Sequence, residues 1–312
     1  MRAFLFPGQG SQAVGMGAAL ARASRAARDV FEQVDEALGQ SLFRLMRDGP
    51  EDELKLTENA QPAIMANAFA VFTALSRDGG VELTKAAQFV AGHSLGEYSA
   101  LCAAGSFDLS TTAKLLKLRG QAMQAAVPVG VGAMAALIGA DLALAQKIAD
   151  AAAQGEVCTV ANDNDPSQVV LSGHKGAIDR AIALAREMGA KRAISLPVSA
   201  PFHCPLMQPA AEAMQDALSY VVLEAPVVPL YANVTAQLTS DPDTIRNQLV
   251  AQVTGMVRWR ESVANMAAAG VAEFVELGGK VLGPMVKRIA PDAKVTSVAT
   301  IEDIEALAKE LH

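Results

Sequence analysis

Cysteine is scarce in this chain: Cys102, Cys158 and Cys204 are the only three among 312 residues. They form no CxxC pair and no histidine sits at zinc-finger spacing, which excludes a disulfide framework and a structural zinc and fits reduced thiols. Aromatic residues make up only 4%, no block of Lys or Arg occurs, and the formal net charge is −7. A basic stripe and a stacking platform are both missing, so nucleic acid is excluded as a partner. Long apolar runs are missing too. The longest candidate, Val131 to Ala153, carries Asp141, Gln146, Lys147 and Asp150, so the mean hydropathy of +0.24 signals no membrane span, which needs about 18–20 apolar residues. The opening MRAFLFPGQG has one Arg and an apolar run too short for a signal peptide, and the expectation is a cytoplasmic protein. What is present is an ordinary globular composition, 51% hydrophobic and 19% charged with 24 Gly and 14 Pro, in a length that suits two domains or one with an insertion.

Arg2 to Phe6 reads as a short strand stopped by Pro7-Gly8, and GQGSQ as a glycine turn into a helical pattern. Helical periodicity runs through Ala18 to Leu38 and again through Pro62 to Leu75. Gln88 to Ala91 then predicts a buried strand, Gly92-His93-Ser94-Leu95-Gly96 a tight turn, and Glu97 to Ala104 a helix ended by Gly105. From about Val127 the elements become short: strand Ala133–Ile138, helix Leu142–Ala153, strands Val157–Ala161 and Gln168–Ser172, helix Gly176–Met188, strand Arg192–Leu196. That order, βαββαβ, is ferredoxin-like. The chain returns through Pro197, Pro201 and Pro205 to strands near Val228–Tyr231 and Glu273–Glu276. The expectation is a mixed α/β body with mainly parallel strands, 1–126 plus 198–312, holding an inserted small domain at 127–197.

Ser94 lies at the centre of G-x-S-x-G between a predicted strand and helix. Such an elbow projects Oγ above the sheet, with the N–H of Leu95 as one oxyanion donor; the other reading is a glycine-bordered turn with an incidental serine. A serine nucleophile needs a base. Of four histidines, His93 precedes the serine, His174 falls in the small domain and His312 is the last residue. His203 remains, in the proline-rich return loop, where a structural or surface role is the alternative. No Asp or Glu between Ser94 and His203 makes a convincing third triad member, so a backbone carbonyl or an amide is expected to orient the imidazole. On the helix expected over Thr111 to Ala126, Arg119 shares the apolar face with Leu115, Leu116, Ala122 and Met123. A buried guanidinium needs a partner, either a structural salt bridge or the carboxylate of a ligand. The Gly8-Gln9-Gly10 turn fails as G-x-G-x-x-G; it is either a plain turn or the source of a second backbone oxyanion donor.

Together, FPGQGSQ at 6–12, QPA at 61–63, GHSLGEYSAL at 92–101, Arg119-Gly120, VPVGVGAMAALIG at 127–139, Asn162-x-Asn164-x-Pro166, VSAPFHC at 198–204, VRW at 257–259 and ELGGKVL at 276–282 resemble the malonyl-CoA:acyl carrier protein transacylase family, the acyltransferases of fatty-acid and polyketide synthesis. The resemblance implies an α/β-hydrolase-like large domain with an inserted ferredoxin-like domain. It implies Ser94 as the acylated nucleophile, His203 as base, the N–H groups of Gln9 and Leu95 as oxyanion hole, and Arg119 on the malonyl carboxylate, with Met123, Phe202 and Asn162 completing the substrate-binding set. The stretch around Arg258 would supply the carbonyl that orients His203; some members have Gln there, and many have Gly-Pro-Gly-Lys where this chain has Gly278-Gly279-Lys280. Malonyl-CoA and an acyl carrier protein are the implied partners, with no metal or redox cofactor and a monomer as the default. Lys191, Arg192, Lys280, Lys287 and Arg288 are candidates for a basic rim that meets the carrier, or ordinary solvated charges. A serine esterase or thioesterase, a malonyltransferase serving a polyketide or malonate decarboxylase carrier, and a non-catalytic relative are the competing readings.

Overall fold

A computed structural model describes all 312 residues. Its strands, in chain order, are β1 (Arg2–Phe6), β2 (Phe89–Gly92), β3 (Gly132–Ile138), β4 (Cys158–Asp165), β5 (Gln168–His174), β6 (Arg192–Ser195), β7 (Leu230–Tyr231), β8 (Leu238–Thr239), β9 (Glu273–Leu277) and β10 (Lys294–Val298). They form two sheets, one ordered β10-β9-β1-β2-β7-β8 and one ordered β4-β5-β3-β6. In the first, every pairing is parallel except the last, β7 with β8. The architecture is therefore α/β with a mainly parallel sheet. β1 lies at its centre, and its Ala3-Phe4-Leu5-Phe6 run is wholly buried, as a strand covered by helices on both faces must be. The second sheet is antiparallel throughout, and residues 132–195 run strand, helix, strand, strand, helix, strand. No helix is long and apolar enough to cross a membrane.

Helix Leu142–Ala153 has the expected limits, with Asp141 accepting from the Leu144 N–H as N-cap. Other elements depart from expectation for identifiable reasons. The helical stretch through residue 38 is two helices, Ala18–Ala23 and Arg25–Leu38, because Ser24 adopts extended backbone and caps the second by accepting from the Ala27 N–H. The helix expected from Pro62 begins at Thr57 and runs to Arg77. β4 continues past Ala161 through Asn-Asp-Asn-Asp, which reads as turn chemistry, by means of register shifts at Val160/Asn162 and Asp163/Asp165. β10 and the helix Ile301–Leu311, with its Thr300/Asp303 capping box, complete the chain.

β4 is joined to segments that pack beside the parallel sheet by backbone as well as side chains. Val257, just before helix Trp259–Ala268, donates to Ala161 O and accepts from the Asp163 N–H, a parallel bridge onto β4. Just beyond it on β4, Asp163 pairs with Arg260 at 2.8 Å and Asp165 with Arg288 at 2.8 Å.

Candidate active site

Ser94 sits between β2 and the helix Gly96–Ala103 with φ 53°, the left-handed backbone that a sharp strand-to-helix turn demands. Two glycines make that turn sterically accessible. A Cβ on Gly92 would lie 1.9 Å from Gly96 O, and one on Gly96 would lie 2.2 Å from Phe6 O. The Ser94 N–H is held by Asn233 Oδ1 at 2.8 Å. The adjacent N–H of Leu95 has no acceptor within the protein, and neither has that of Gln9 in the turn after β1. Both residues line the same cleft as Ser94, so two free backbone donors border the serine.

The Ser94 hydroxyl lies 2.8 Å from His203 Nε2. His203 also has positive φ, 57°, in the loop between Pro201 and Pro205, and is 4% exposed. Its Nδ1 donates to the main-chain carbonyl of Gln252 at 2.8 Å. A carbonyl only accepts, so Nδ1 carries the proton and Nε2 is left as acceptor toward the serine. Burial, and then the nearby positive charge of Arg119, push the imidazole pKa down to about 3, which keeps the imidazole neutral with a free lone pair on Nε2. The orienting carbonyl corrects the expectation at Arg258. That residue precedes helix Trp259–Ala268, where its carbonyl accepts from Ser262 and its guanidinium pairs with Glu261. The glutamine stands earlier, on the helix Pro242–Thr254.

Arg119, on helix Leu109–Ala125, is 1% exposed. No carboxylate lies within salt-bridge distance of it, which removes the structural ion pair as its explanation. Its partners are neutral: Nη1 donates to Gln61 Oε1 at 2.7 Å, and Nη2 to Gln252 Oε1 at 2.9 Å and to Ser94 Oγ at 3.2 Å. Its Nε has no partner at all. Behind the serine, Glu97 is fully buried and its carboxyl is pushed up to about 7 by desolvation, against the donors Asn233 N–H and Gln252 Nε2.

These groups face a cleft of about 320 Å³ between the two sheets. Gln9, Ser94, Leu95, Arg119, Met123, Asn162, Phe202 and His203 all line it, and Arg258 does not. β3 and β5 add the apolar wall of Met134, Ala136 and Val170. No group of three His, Cys, Asp or Glu side chains is placed to hold a metal ion. Five polar residues carry roles that side-chain type alone does not announce. Gln61 holds Arg119, Gln252 holds both Arg119 and His203, Asn233 and Glu97 brace the elbow, and Asn164 Oδ1 meets His93 Nε2 at 2.8 Å. Gln252 has a readable signal, since it shares a helix face with Ile245 and Leu249 and is 0% exposed. All five basic candidates are exposed; Lys287 in addition donates to Ala293 O and Arg288 is paired with Asp165.

The acyl transferase domain family matches residues 3–283. A malonyl CoA-acyl carrier protein transacylase of Escherichia coli strain K12 is 44% identical over 310 residues, covering 99% of each chain. The crystal structure of an acyl-carrier-protein-S-malonyltransferase from Bartonella henselae superposes with a TM-score of 0.97 at 52% identity, again covering 99% of both chains. A second similar structure holds a type II PKS acyl-carrier protein in complex with its malonyl-transacylase, with a TM-score of 0.95, 37% identity and 99% coverage of both chains. The serine elbow, the buried arginine and the length of these matches agree: the chain belongs to the acyl transferase domain family and, within it, to the malonyl CoA-acyl carrier protein transacylases.

Proposed function

We propose that this chain transfers the malonyl group from malonyl-CoA to the phosphopantetheine thiol of an acyl carrier protein through a malonyl-Ser94 intermediate. His203 Nε2 takes the Ser94 hydroxyl proton as Oγ attacks the thioester carbonyl. The developing oxyanion is received by the N–H groups of Gln9 and Leu95, and the coenzyme A sulfur leaves with the proton from His203. The carrier thiol then gives its proton to His203, attacks the malonyl ester, and Ser94 departs as the hydroxyl. One thioester is exchanged for another of nearly equal free energy, so the balance requires no metal or redox cofactor.

The observation that carries the reading is Arg119, a buried guanidinium with no carboxylate partner and only 3.2 Å from Ser94 Oγ. A malonyl carboxylate stands one methylene from the reacting carbonyl and fits that spacing; a neutral acyl chain would leave the charge unpaired, which disfavours an esterase or thioesterase. Met123, Phe202 and Asn162 bound the acyl group, and the cleft and the ion pair hold it away from water. The βαββαβ segment and its β4-β5-β3-β6 order support a ferredoxin-like small domain at 127–197 within an α/β-hydrolase-like catalytic domain of 1–126 and 198–312. A cytoplasmic monomer, with exposed Lys191, Arg192 and Lys280 offering a local basic rim to the carrier, completes the proposal.

Intact mass after brief incubation with malonyl-CoA or acetyl-CoA tests it. Wild type is expected to gain a malonyl adduct, Ser94→Ala none, and Arg119→Ala a preference shifted toward acetyl. No adduct on wild type, with malonyl-CoA untouched, defeats the transferase reading.

A further inference from the structure

Behind Ser94 lies a closed set of hydrogen bonds that the steps above leave unused. Gln252 is 0% exposed and has five neighbours to satisfy. Its main-chain carbonyl accepts from His203, its Oε1 accepts from Arg119 Nη2, and its Nε2 faces Ser94 O at 3.0 Å, Asn233 Oδ1 at 3.2 Å and the Glu97 carboxylate. A guanidinium only donates and a carboxylate only accepts. The Gln252 amide therefore has a single orientation that serves both, and turning it over would set NH₂ against the guanidinium and oxygen against the carboxylate. Glu97, 1% exposed and held on its other oxygen by the Asn233 N–H at 3.3 Å, is the group that enforces that orientation. Asn233 closes the set by donating to Gly92 O at 2.7 Å while accepting from the Ser94 N–H.

We infer that Glu97 and the Gln252 side chain are positioning residues for acyl selection: Glu97 locks the Gln252 amide, and the locked amide aims Arg119 at the acyl carboxylate. One residue thus serves two tasks through separate atoms, the base through its main chain and the selecting cation through its side chain. The inference rests on the malonyl-transfer reading above. It predicts that damage to the side-chain arm falls on malonyl more than on acetyl, because acetyl has no carboxylate for Arg119 to hold.

The experiment compares rates of Ser94 acylation by malonyl-CoA and acetyl-CoA at pH 8, where Glu97 is mainly ionised, with Tm recorded for each protein. Gln252→Ala keeps the carbonyl on His203 and loses the anchor of Arg119. Its malonyl-to-acetyl rate ratio is expected to fall about tenfold, the scale of one hydrogen bond to a charged group. Glu97→Ala is expected to do the same, and Glu97→Gln to lie between it and wild type, since one side-chain oxygen remains to accept from Gln252. A role in packing alone would lower Tm and both rates together and leave the ratio intact. That result, or an unchanged ratio in folded Gln252→Ala, overturns the inference; if Glu97→Ala does not fold, Gln252→Ala and Glu97→Gln decide between the two roles. A wild type that takes no malonyl at all would instead overturn the transfer reading itself.

Discussion

The two sheets contribute to one cleft by different physical means. Every group assigned a part in the transfer, Ser94, His203, Arg119 and the N–H groups of Gln9 and Leu95, comes from segments outside residues 127–197, and these groups are held by buried backbone geometry and neutral amides. The antiparallel sheet supplies wall: Met134, Ala136, Asn162, Asn164 and Val170. It is fixed to the rest along the edge strand β4, by the backbone bridge to Val257 and by carboxylates. Asn162 and Asn164 line the cleft while Asp163 and Asp165 between and beyond them meet Arg260 and Arg288. Where atoms must be placed to a few tenths of an ångström the protein uses left-handed backbone and close glycine packing; where two bodies need only be kept together it uses one backbone bridge with ion pairs beside it.

The largest effect that separates these regions is expected at the elbow. Gly96→Ala drives a Cβ into the Phe6 carbonyl of the central strand, a backbone atom that cannot yield. Overpacking of this kind should cost about 3 kcal/mol or more, read as loss of soluble protein or a sharply lowered urea midpoint. A folded, acylating Gly96→Ala enzyme would show that the turn is less constrained than the joint.

At the joint the two partners of one ion pair should differ. Asp163 is 1% exposed on its side chain and Arg260 is 34% exposed. Arg260→Ala strands a buried carboxylate and should cost about 3 kcal/mol, whereas Asp163→Ala releases an arginine that can reach water and should cost about 1. Equal losses in chemical denaturation would mean that the pair acts by bulk contact rather than by charge.

The smallest effect is one of pH. Burial raises the Glu97 carboxyl from 4.5 to about 7, so its contribution to stability is fully present below the unfolded value and is lost as pH rises toward 7. His203, lowered from 6.5 to about 3, contributes oppositely, with stability present above 6.5 and lost as pH falls. Glu97→Gln removes only the first of these. The Tm of that variant relative to wild type should therefore improve between pH 5 and pH 8, and a constant difference would count against desolvation as the cause.

What sequence reveals here follows from whether side-chain type encodes the role. Arg119 is legible because a cation on an apolar helix face demands a partner, and Ser94 because glycines at both flanks signal a sharp turn. The role of Gln252 toward His203 is not, since it acts there through a carbonyl that any residue possesses; its buried side chain, which the helix face does signal, matters to Arg119 instead. β4 reads short because Asn and Asp favour turns, and its bulges and its bridge to Val257 are made by tertiary contact. The boundary at Ser24 is hidden because helical periodicity runs through it on either side while its hydroxyl serves as a cap.

The order of strands in the parallel sheet also has a bearing on biosynthesis. β1 sits between β2 and β9, and its Arg2 bonds to Glu273, 271 residues further along the chain. At ordinary synthesis rates of about 5–20 residues per second, roughly 15–50 s pass before that neighbour exists. Residues 132–195 carry all four strands of the other sheet and can pair as soon as they emerge. The sheet that walls the cleft can thus form before the parallel sheet is complete, and until β9 is made the apolar Ala-Phe-Leu-Phe strand has only β2 beside it.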